Sequence, residues 1–287
     1  MEKCDLKKNI LITGSNGFIG STLKNILKYN IIEVSRDNGY DILNLSSLLE
    51  IDLDIDTVIH LAAKTFVPDS FENPYDFYKF NIDSTINIAE FCKIKKVKKL
   101  IYFNTYMYGS PNYLPIDENH QLKFQSPYHR SKYISEEILL NYFKQIETKV
   151  VSLRLFNVYG RNQSNNFLIP TIINKLSKDI LELNDLSPKR DYIYIKDICS
   201  LVNKIIRLPE YQLITDFYNV GYGKSYSVKE IVEYIIKIKR KKIKVIDKNI
   251  QRENEVMDCF ANINKVKSTF NWNPRYSLQK GLEDMIK

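Results

Sequence analysis

Tyr128 and Lys132 are separated by three residues, so on a helix they share one face. A phenol at its ordinary pKa of about 10 carries protons poorly at neutral pH, and lowering it to about 7 takes roughly 4 kcal/mol of differential stabilisation. A lysine ammonium alongside is a natural source of that stabilisation, because it favours the charged phenolate. The spacing alone selects nothing, since Tyr75/Lys79, Tyr192/Lys196 and Tyr276/Lys280 repeat it. Position separates them. Only Tyr128/Lys132 opens the helix after the fifth expected strand, where a proton carrier meets the C-terminal edge of a sheet.

A second cluster lies near the chain start. Three of the nine glycines fall in one heptad, Gly14-Ser15-Asn16-Gly17-Phe18-Ile19-Gly20. Asn9–Thr13 before it reads as a short buried strand, and Ser21 to Tyr29 after it carries Leu23, Ile26 and Leu27 at the spacing of a helix face. A strand, a glycine turn and a helix N-terminus make a pyrophosphate cradle, because the backbone can approach the phosphates and free N–H groups face them. Such a helix end contributes roughly 0.3–1 kcal/mol per exposed charge, so shape and hydrogen bonds supply the rest. Gly14, Asn16, Gly17, Phe18, Ile19 and Gly20 are therefore the candidate dinucleotide contacts. With a nicotinamide dinucleotide there, its positive ring would add to Lys132 in acidifying Tyr128.

The elements that must position these groups alternate. Ile10–Thr13, Ile31–Ser35, Thr57–His60, Leu100–Asn104 and Val150–Leu153 read as strands, with helices between them, notably Tyr75–Ile94 and Ser131–Phe143. This predicts an α/β fold of the Rossmann type, a doubly wound parallel sheet built from right-handed crossovers. After Gly160 the alternation is expected to stop, with polar loops such as 162–166 and 186–190 between shorter helices. We read residues 1–165 as the dinucleotide-binding domain, with a segment near 190–210 returning to it, and 166–287 as a smaller C-terminal substrate-binding lobe.

The second strand tip decides which dinucleotide. An acidic side chain there grips the adenosine ribose in NAD-binding units. Here the strand ends Glu33-Val34-Ser35-Arg36, and an arginine can pair with a 2′-phosphate, which favours NADP(H) over NAD(H). Glu33 is expected to point away, and Asp37 is the rival that restores NAD binding. Asp41 and Ile42, after a short third strand, are placed to flank the adenine.

The bulk numbers set limits. A chain of 287 residues, 44% hydrophobic and 26% charged, has the composition of a soluble globular protein and no apolar stretch near the roughly 20 residues of a membrane span. Met1 to Lys8 lead straight into the first strand, leaving no room for a signal peptide. Cys4, Cys92, Cys199 and Cys259 are scattered, which suggests free thiols in a cytoplasmic protein and no metal site. The net charge of +8 comes mainly from the lysine runs 93–99 and 237–244. Neither run has the aromatic interleaving of a single-strand platform, so we expect solvated surface and no nucleic-acid partner.

Taken in order along the chain, these blocks resemble the extended short-chain dehydrogenase/reductases, in particular the NAD-dependent epimerase/dehydratase group that acts on nucleotide sugars. The resemblance includes the glycine heptad, His60-Leu61-Ala62-Ala63, Asn81, Tyr108-Gly109 and Tyr128/Lys132. It continues through residues 154–160 (RLFNVYG), 190–193 (RDYI) and 218–221 (YNVG), and closes with Trp272-Asn273-Pro274. It implies that Tyr128 is the general acid/base, that Lys132 holds the nicotinamide ribose, and that Leu61, Ala62, Ala63 and Asn81 contact the cofactor. It also implies a Ser or Thr near the end of the fifth strand, bonded to the sugar's C4 oxygen. Counting back from Gly109, Asn104 stands at the usual hydroxyl position and Thr105 one step later. We assign Thr105, because an amide cannot relay a proton as a hydroxyl does. Arg190 and Arg252 fall where the family's arginines clamp a nucleotide diphosphate, and Asn157 where it touches the diphosphate or sugar. The plainer reading of each arginine is an ion pair, with Asp191 and Glu253 as neighbours.

The family's chemistries can be sorted by residue. Dehydratases need an Asp-Glu pair after the catalytic threonine, and Tyr106-Met107 stand there instead. Reductases that also epimerise use a cysteine near this strand end and a distant histidine. No cysteine lies there, and the histidines are His60, His120 and His129, the last expected to be structural or solvent-facing. What remains is hydride transfer at a sugar carbon. We expect NADPH-dependent reduction of a nucleotide-linked 4-keto-6-deoxy sugar at C4, in nucleotide-sugar biosynthesis for surface polysaccharide. The alternatives are an NAD-dependent C4 epimerase and a dinucleotide-binding sensor without catalysis, although such sensors lose the Tyr/Lys pair. The resemblance also implies a homodimer that pairs the helices at 75–94 and 131–143.

Overall fold

A computed structural model describes residues 8–176, 180–252 and 255–287. Cys4 and Glu253 lie outside the described residues. The described chain folds into two compact units, one of residues 1–107, 123–155 and 199–218, the other of 108–122, 156–198 and 219–287. The chain thus enters the second unit at Tyr108, at Phe156 and again at Asn219.

The first unit is built on strands β1 (Asn9–Thr13), β2 (Asn30–Val34), β3 (Thr57–His60), β4 (Lys99–Thr105) and β5 (Lys149–Leu155). With β9 (Asp216–Val220) they form one six-stranded sheet in the order β2-β1-β3-β4-β5-β9. The registers from β2 to β5 are all parallel. Ile10, Leu11, Ile12, Val58, Ile59, Leu100, Ile101 and Val150 are fully or almost fully buried, as expected of parallel strands covered on both faces. The Rossmann-type reading of the sequence is what the chain adopts. The order reverses between β1 and β3, which opens a crevice at the C-terminal ends of those two strands, where open α/β sheets bind ligands.

The crossovers are α1 (Phe18–Ile26), α2 (Leu45–Leu49), α3 (Val67–Glu72), α4 (Pro74–Ile94) and α5 (Pro127–Tyr142). Helix α1 starts three residues earlier than the sequence suggested, because Gly17, in extended backbone, already caps it. Leu23 and Leu27 are buried, but Ile26 turns outward. The short third strand expected before Asp41 is absent: Arg36–Asn38 form a 3₁₀ turn closed by Gly39 in the left-handed conformation. The strand that carries Thr105 is therefore the fourth. Helix α5 begins cleanly for local reasons. Ser126 accepts the backbone N–H of His129, and Pro127 sits in the first turn, where no N–H is needed.

One buried carboxylate fixes α5 against the sheet. Glu136 accepts hydrogen bonds from Asn104 on β4 (2.8 Å), from Ser152 on β5 (2.5 Å), and from Arg154 Nε (3.0 Å) and Nη2 (2.5 Å) on β5. Both charged side chains are almost wholly buried, and the guanidinium lies 3.7 Å from the ring centroid of Phe217. A buried pair adds little over an apolar replacement of the same shape, but removing one partner strands a charge.

The second unit contains β6 (Asn157–Tyr159), α6 (Leu168–Lys175), β7 (Ile180–Leu183), β8 (Lys189–Tyr194) and the first residues of α7 (Ile195–Arg207). After β9 follow β10 (Ser225–Ser227), α8 (Val228–Lys239), β11 (Lys244–Asp247), α9 (Asn264–Phe270) and α10 (Leu278–Ile286). Strands β10, β8 and β6 make one small sheet, and β11 and β7 another. Alternation therefore continues past Gly160, contrary to expectation, and Lys189 and Arg190 belong to a strand, not to a loop. Strands of three or four residues with polar tips leave no apolar run for the sequence to show. Among the described residues, no helix is long and apolar enough to cross a membrane.

Replacing Arg154 with Met leaves Glu136 buried without its counter-charge. Urea unfolding should show a loss of about 3–5 kcal/mol. Replacing Glu136 and Arg154 together by apolar residues of similar volume should recover most of it.

Candidate functional site

The crevice between β1 and β3 is shaped by missing side chains. Gly14 has φ +66°, and a Cβ there would lie 2.9 Å from the backbone nitrogen of Ala62. A Cβ on Gly20 would lie 2.4 Å from the Gly14 carbonyl oxygen, so the first turn of α1 closes on the loop only because it has none. Gly17 is less crowded, a Cβ there lying 3.2 Å from the Gly14 carbonyl oxygen, and serves as the cap. The result is a backbone cradle ahead of a helix N-terminus, formed by Gly14, Asn16, Gly17, Phe18, Ile19 and Gly20, with Leu61, Ala62 and Ala63 on the other lip. Its residues fit a dinucleotide pyrophosphate.

At the β2 tip the candidates separate. Glu33 is engaged by Lys24 at 2.8 Å, and that hydrogen bond holds its carboxyl below the usual range. Arg36 is exposed. Asp37 accepts a hydrogen bond from the Asn16 amide at 2.8 Å, which ties it to the glycine turn. Asp41 accepts from the backbone of Leu43, while Ile42 is buried in the core of this unit.

Asn81, on α4, has an internal task. Its side-chain oxygen accepts the backbone N–H of Lys64 (2.8 Å), and its amide donates to the carbonyl of Lys64 (3.2 Å) and to Ser131 Oγ (2.9 Å). Ser131 in turn donates to the carbonyl of Tyr128 (2.8 Å). One amide thus joins the loop after β3 to the turn of α5 that carries the phenol.

Tyr128 is half-buried, and the Thr105 hydroxyl, which donates to the carbonyl of Tyr106 (3.4 Å), is near enough to the phenol to act on its pKa. Asn104 points elsewhere, onto Glu136, and its side-chain oxygen accepts the backbone N–H of Thr105 (2.8 Å). Burial pushes the Tyr128 pKa up to about 12, against the lowering effect of nearby Thr105. The acidification expected from Lys132 is thus not what the protein alone produces. Burial also drives Lys132 down to about 7, opposed by Glu136, and its ammonium lies 4.0 Å from the ring centroid of Tyr102. His129 is structural: its Nδ1 bonds Ser126 Oγ at 2.7 Å, and burial lowers its pKa to about 4.

In the second unit, Arg190 and Arg252 line one cavity of about 410 Å³, together with Phe167, Leu168, Tyr192 and Asp185. Arg190 pairs with Glu255 and also donates to the carbonyl of Val256. Asp191, the neighbour suggested as its partner, is buried instead and accepts the backbone N–H groups of Tyr222 (2.7 Å), Gly223 (2.9 Å) and Ala261 (3.1 Å). Burial raises the Asp191 pKa to about 6 despite those three donors. Asn157 is not in the cavity wall, and its amide donates to the carbonyl of Asp191 (3.2 Å).

A cradle of this form, followed by a Tyr/Lys pair, has counterparts among known proteins. The model of the NAD dependent epimerase/dehydratase family matches residues 10–221. The chain belongs to that family. It is 28% identical to the UDP-glucose 4-epimerase of Homo sapiens, over 98% of this chain and 96% of the relative. It is also 28% identical to the GDP-6-deoxy-D-talose 4-dehydrogenase of Aggregatibacter actinomycetemcomitans, over 97% of each. In fold it is similar to RMD from Pseudomonas aeruginosa, solved with NADPH, at a TM-score of 0.89 and 22% identity over 98% of each chain.

Within this family member, sequence reasoning missed Glu136 and Asp191 as anchors. Asp191 adjoins a motif arginine, but nothing in its neighbourhood reveals three backbone donors brought from residues 222, 223 and 261. Three residues separate Lys132 from Glu136, the same spacing as Tyr128 and Lys132, and that shared helix face was the available signal.

Lys132 is the costly member of the pair. Its folded pKa of about 7 lies below the value near 10.4 of an unfolded chain, so stability is lowest below pH 7 and rises as pH increases between those values. Lys132→Met should therefore stabilise the ligand-free protein by a few kcal/mol at pH 6. That gain should shrink by up to about 1.4 kcal/mol per pH unit above pH 7, as read by denaturant unfolding at pH 6 and 9.

Proposed function

We propose that this protein reduces a nucleotide-linked 4-keto-6-deoxy sugar at C4 with NADPH, in nucleotide-sugar biosynthesis for surface polysaccharide. The approach of the Thr105 side chain to the Tyr128 phenol carries the reading. It sets a hydroxyl beside the phenol, and the residues that follow, Tyr106 and Met107, offer no carboxylic acid for dehydration. The dinucleotide supplies the hydride, and Tyr128 gives its proton to the alkoxide that forms at C4. Thr105 orients the C4 oxygen. Lys132 holds the nicotinamide ribose and, with the ring's positive charge, offsets the burial that raises the phenol's pKa. Arg190 and Arg252 bind the diphosphate in the second unit, and Asn157 contacts the diphosphate or sugar.

The GDP-6-deoxy-D-talose 4-dehydrogenase supports redox chemistry at C4 of a nucleotide-linked deoxy sugar. Exposed Arg36 supports NADPH. A second reading, the NAD-dependent C4 epimerase, draws on the human relative and on the Asn16–Asp37 hydrogen bond, which fixes a carboxylate near the glycine turn. The chain keeps Tyr128 and Lys132, which argues against a non-catalytic sensor. We further infer a homodimer formed through α4 and α5, supported by exposed Tyr75, Ile86 and Ile94 on α4. We infer a cytoplasmic location, supported by the buried free thiols of Cys92, Cys199 and Cys259.

The decisive assay is NADPH oxidation against a panel of nucleotide-linked 4-keto-6-deoxy sugars. Rapid turnover with one of them is expected and would identify both base and sugar. No turnover with any, and tightly held NAD released on denaturation, would transfer the assignment to the epimerase. Tyr128→Phe should lower kcat by about 10²–10⁴-fold and leave dinucleotide binding intact.

A further inference from the structure

His60 closes β3 and is buried, with both ring nitrogens engaged: Nδ1 with Thr13 Oγ1 at 2.8 Å and Nε2 with Thr85 Oγ1 at 3.1 Å. The surrounding bonds dictate its tautomer. Thr85 donates its single hydroxyl proton to the carbonyl of Asn81 (2.7 Å), so it can only accept from His60. Nε2 therefore carries the proton and Nδ1 is bare. Thr13 must then donate to Nδ1, which leaves its oxygen free to accept the backbone N–H groups of Leu61 and Ala62, both at 3.1 Å.

That oxygen joins the two lips of the crevice. Thr13 precedes Gly14, whose Cα faces the Ala62 backbone too closely to admit a Cβ. The Asn81 carbonyl that receives Thr85 also receives Ser135 on α5 (3.0 Å), and the Asn81 amide holds Ser131 beneath Tyr128. The chain of bonds runs unbroken from the glycine turn to the helix of the phenol. Burial, with the Lys132 charge second, lowers the ring's pKa to about 3, so the imidazole stays neutral across ordinary pH.

We propose that His60 is a positioning residue for the dinucleotide: in its single Nε2–H tautomer it fixes Thr13, and through Thr13 the spacing between the Gly14 turn and the 61–63 loop. It touches no ligand itself. This rests on the reading of that crevice as a dinucleotide site.

The test compares His60→Phe, which keeps a ring and removes both hydrogen bonds, with His60→Asn, whose side-chain oxygen can accept from Thr13 where Nδ1 did. Affinities for NADPH and for NAD are measured by fluorescence and calorimetric titration. Long-range ¹H–¹⁵N spectra of the wild-type imidazoles report the tautomer. We expect a neutral Nε2–H ring from pH 5 to 8. We expect dinucleotide affinity to fall about five- to tenfold in His60→Phe and to return to within about twofold of wild type in His60→Asn, with kcat little changed. A folded His60→Phe that binds both dinucleotides like wild type, a His60→Asn no better than His60→Phe, or an Nδ1–H ring each overturns the proposal. If His60→Phe does not fold, His60→Asn decides: affinity near wild type supports the proposal, and a tenfold loss overturns it. Failure of the wild-type protein to bind either dinucleotide would instead remove the cofactor reading on which the proposal stands.

Discussion

A carboxylate with no access to water holds helix α5 in place. Glu136 takes its hydrogen bonds from two adjacent strands, from Asn104 near the end of β4 and from Ser152 and Arg154 within β5. Helix α5 can therefore neither slide nor rotate on the sheet without stranding a charge. Tyr128 and Lys132 lie two turns and one turn N-terminal to Glu136 on the same helix face, so their height above the strand ends follows from that anchor. The same anchor explains the fate of Asn104. Because its amide is drawn onto Glu136, the next residue, Thr105, is the one whose hydroxyl meets the phenol.

The crevice obeys a different constraint, that of backbone meeting backbone. Gly14 and Gly20 are required because the turn, the first coil of α1 and the loop after β3 approach within contact distance. Polar side chains then lock what the glycines permit. Thr13, His60, Thr85 and Asn81 each spend their hydrogen bonds on one another, on Ser131 or on backbone, which suits a site where flexible lips would cost binding energy in ordering.

Much of the first unit was legible because its strands are apolar runs buried on both faces, and because the glycine heptad and the Tyr/Lys pair are local. The extent of α1 was less so, since the cap is Gly17 and the outward turn of Ile26 depends on packing. The third strand read before Asp41 did not form, because Asp37 and Asn38 side chains favour a turn that Gly39 completes. In the second unit, strands as short as Tyr226 and its two neighbours take their stability from pairing with residues more than thirty positions away, which a local pattern does not record. Asp191 shows the same limit. It reads as a surface partner for Arg190, yet it is the buried hub of three backbone donors, and Gly221 must lack a side chain to make room for it.

The cavity of the second unit contains its own competitor. Arg190 is already paired with Glu255 and bonded to the backbone carbonyls of Lys189 and Val256 before any anion arrives. An incoming diphosphate thus exchanges one ion pair for another, and its net affinity is the difference between them. Such an exchange discriminates by valence: a singly charged anion gains nothing over the resident carboxylate, whereas a group that also engages Arg252 gains a second contact. The arginine that would grip a substrate most firmly is, by its resting partner, kept from gripping indiscriminately.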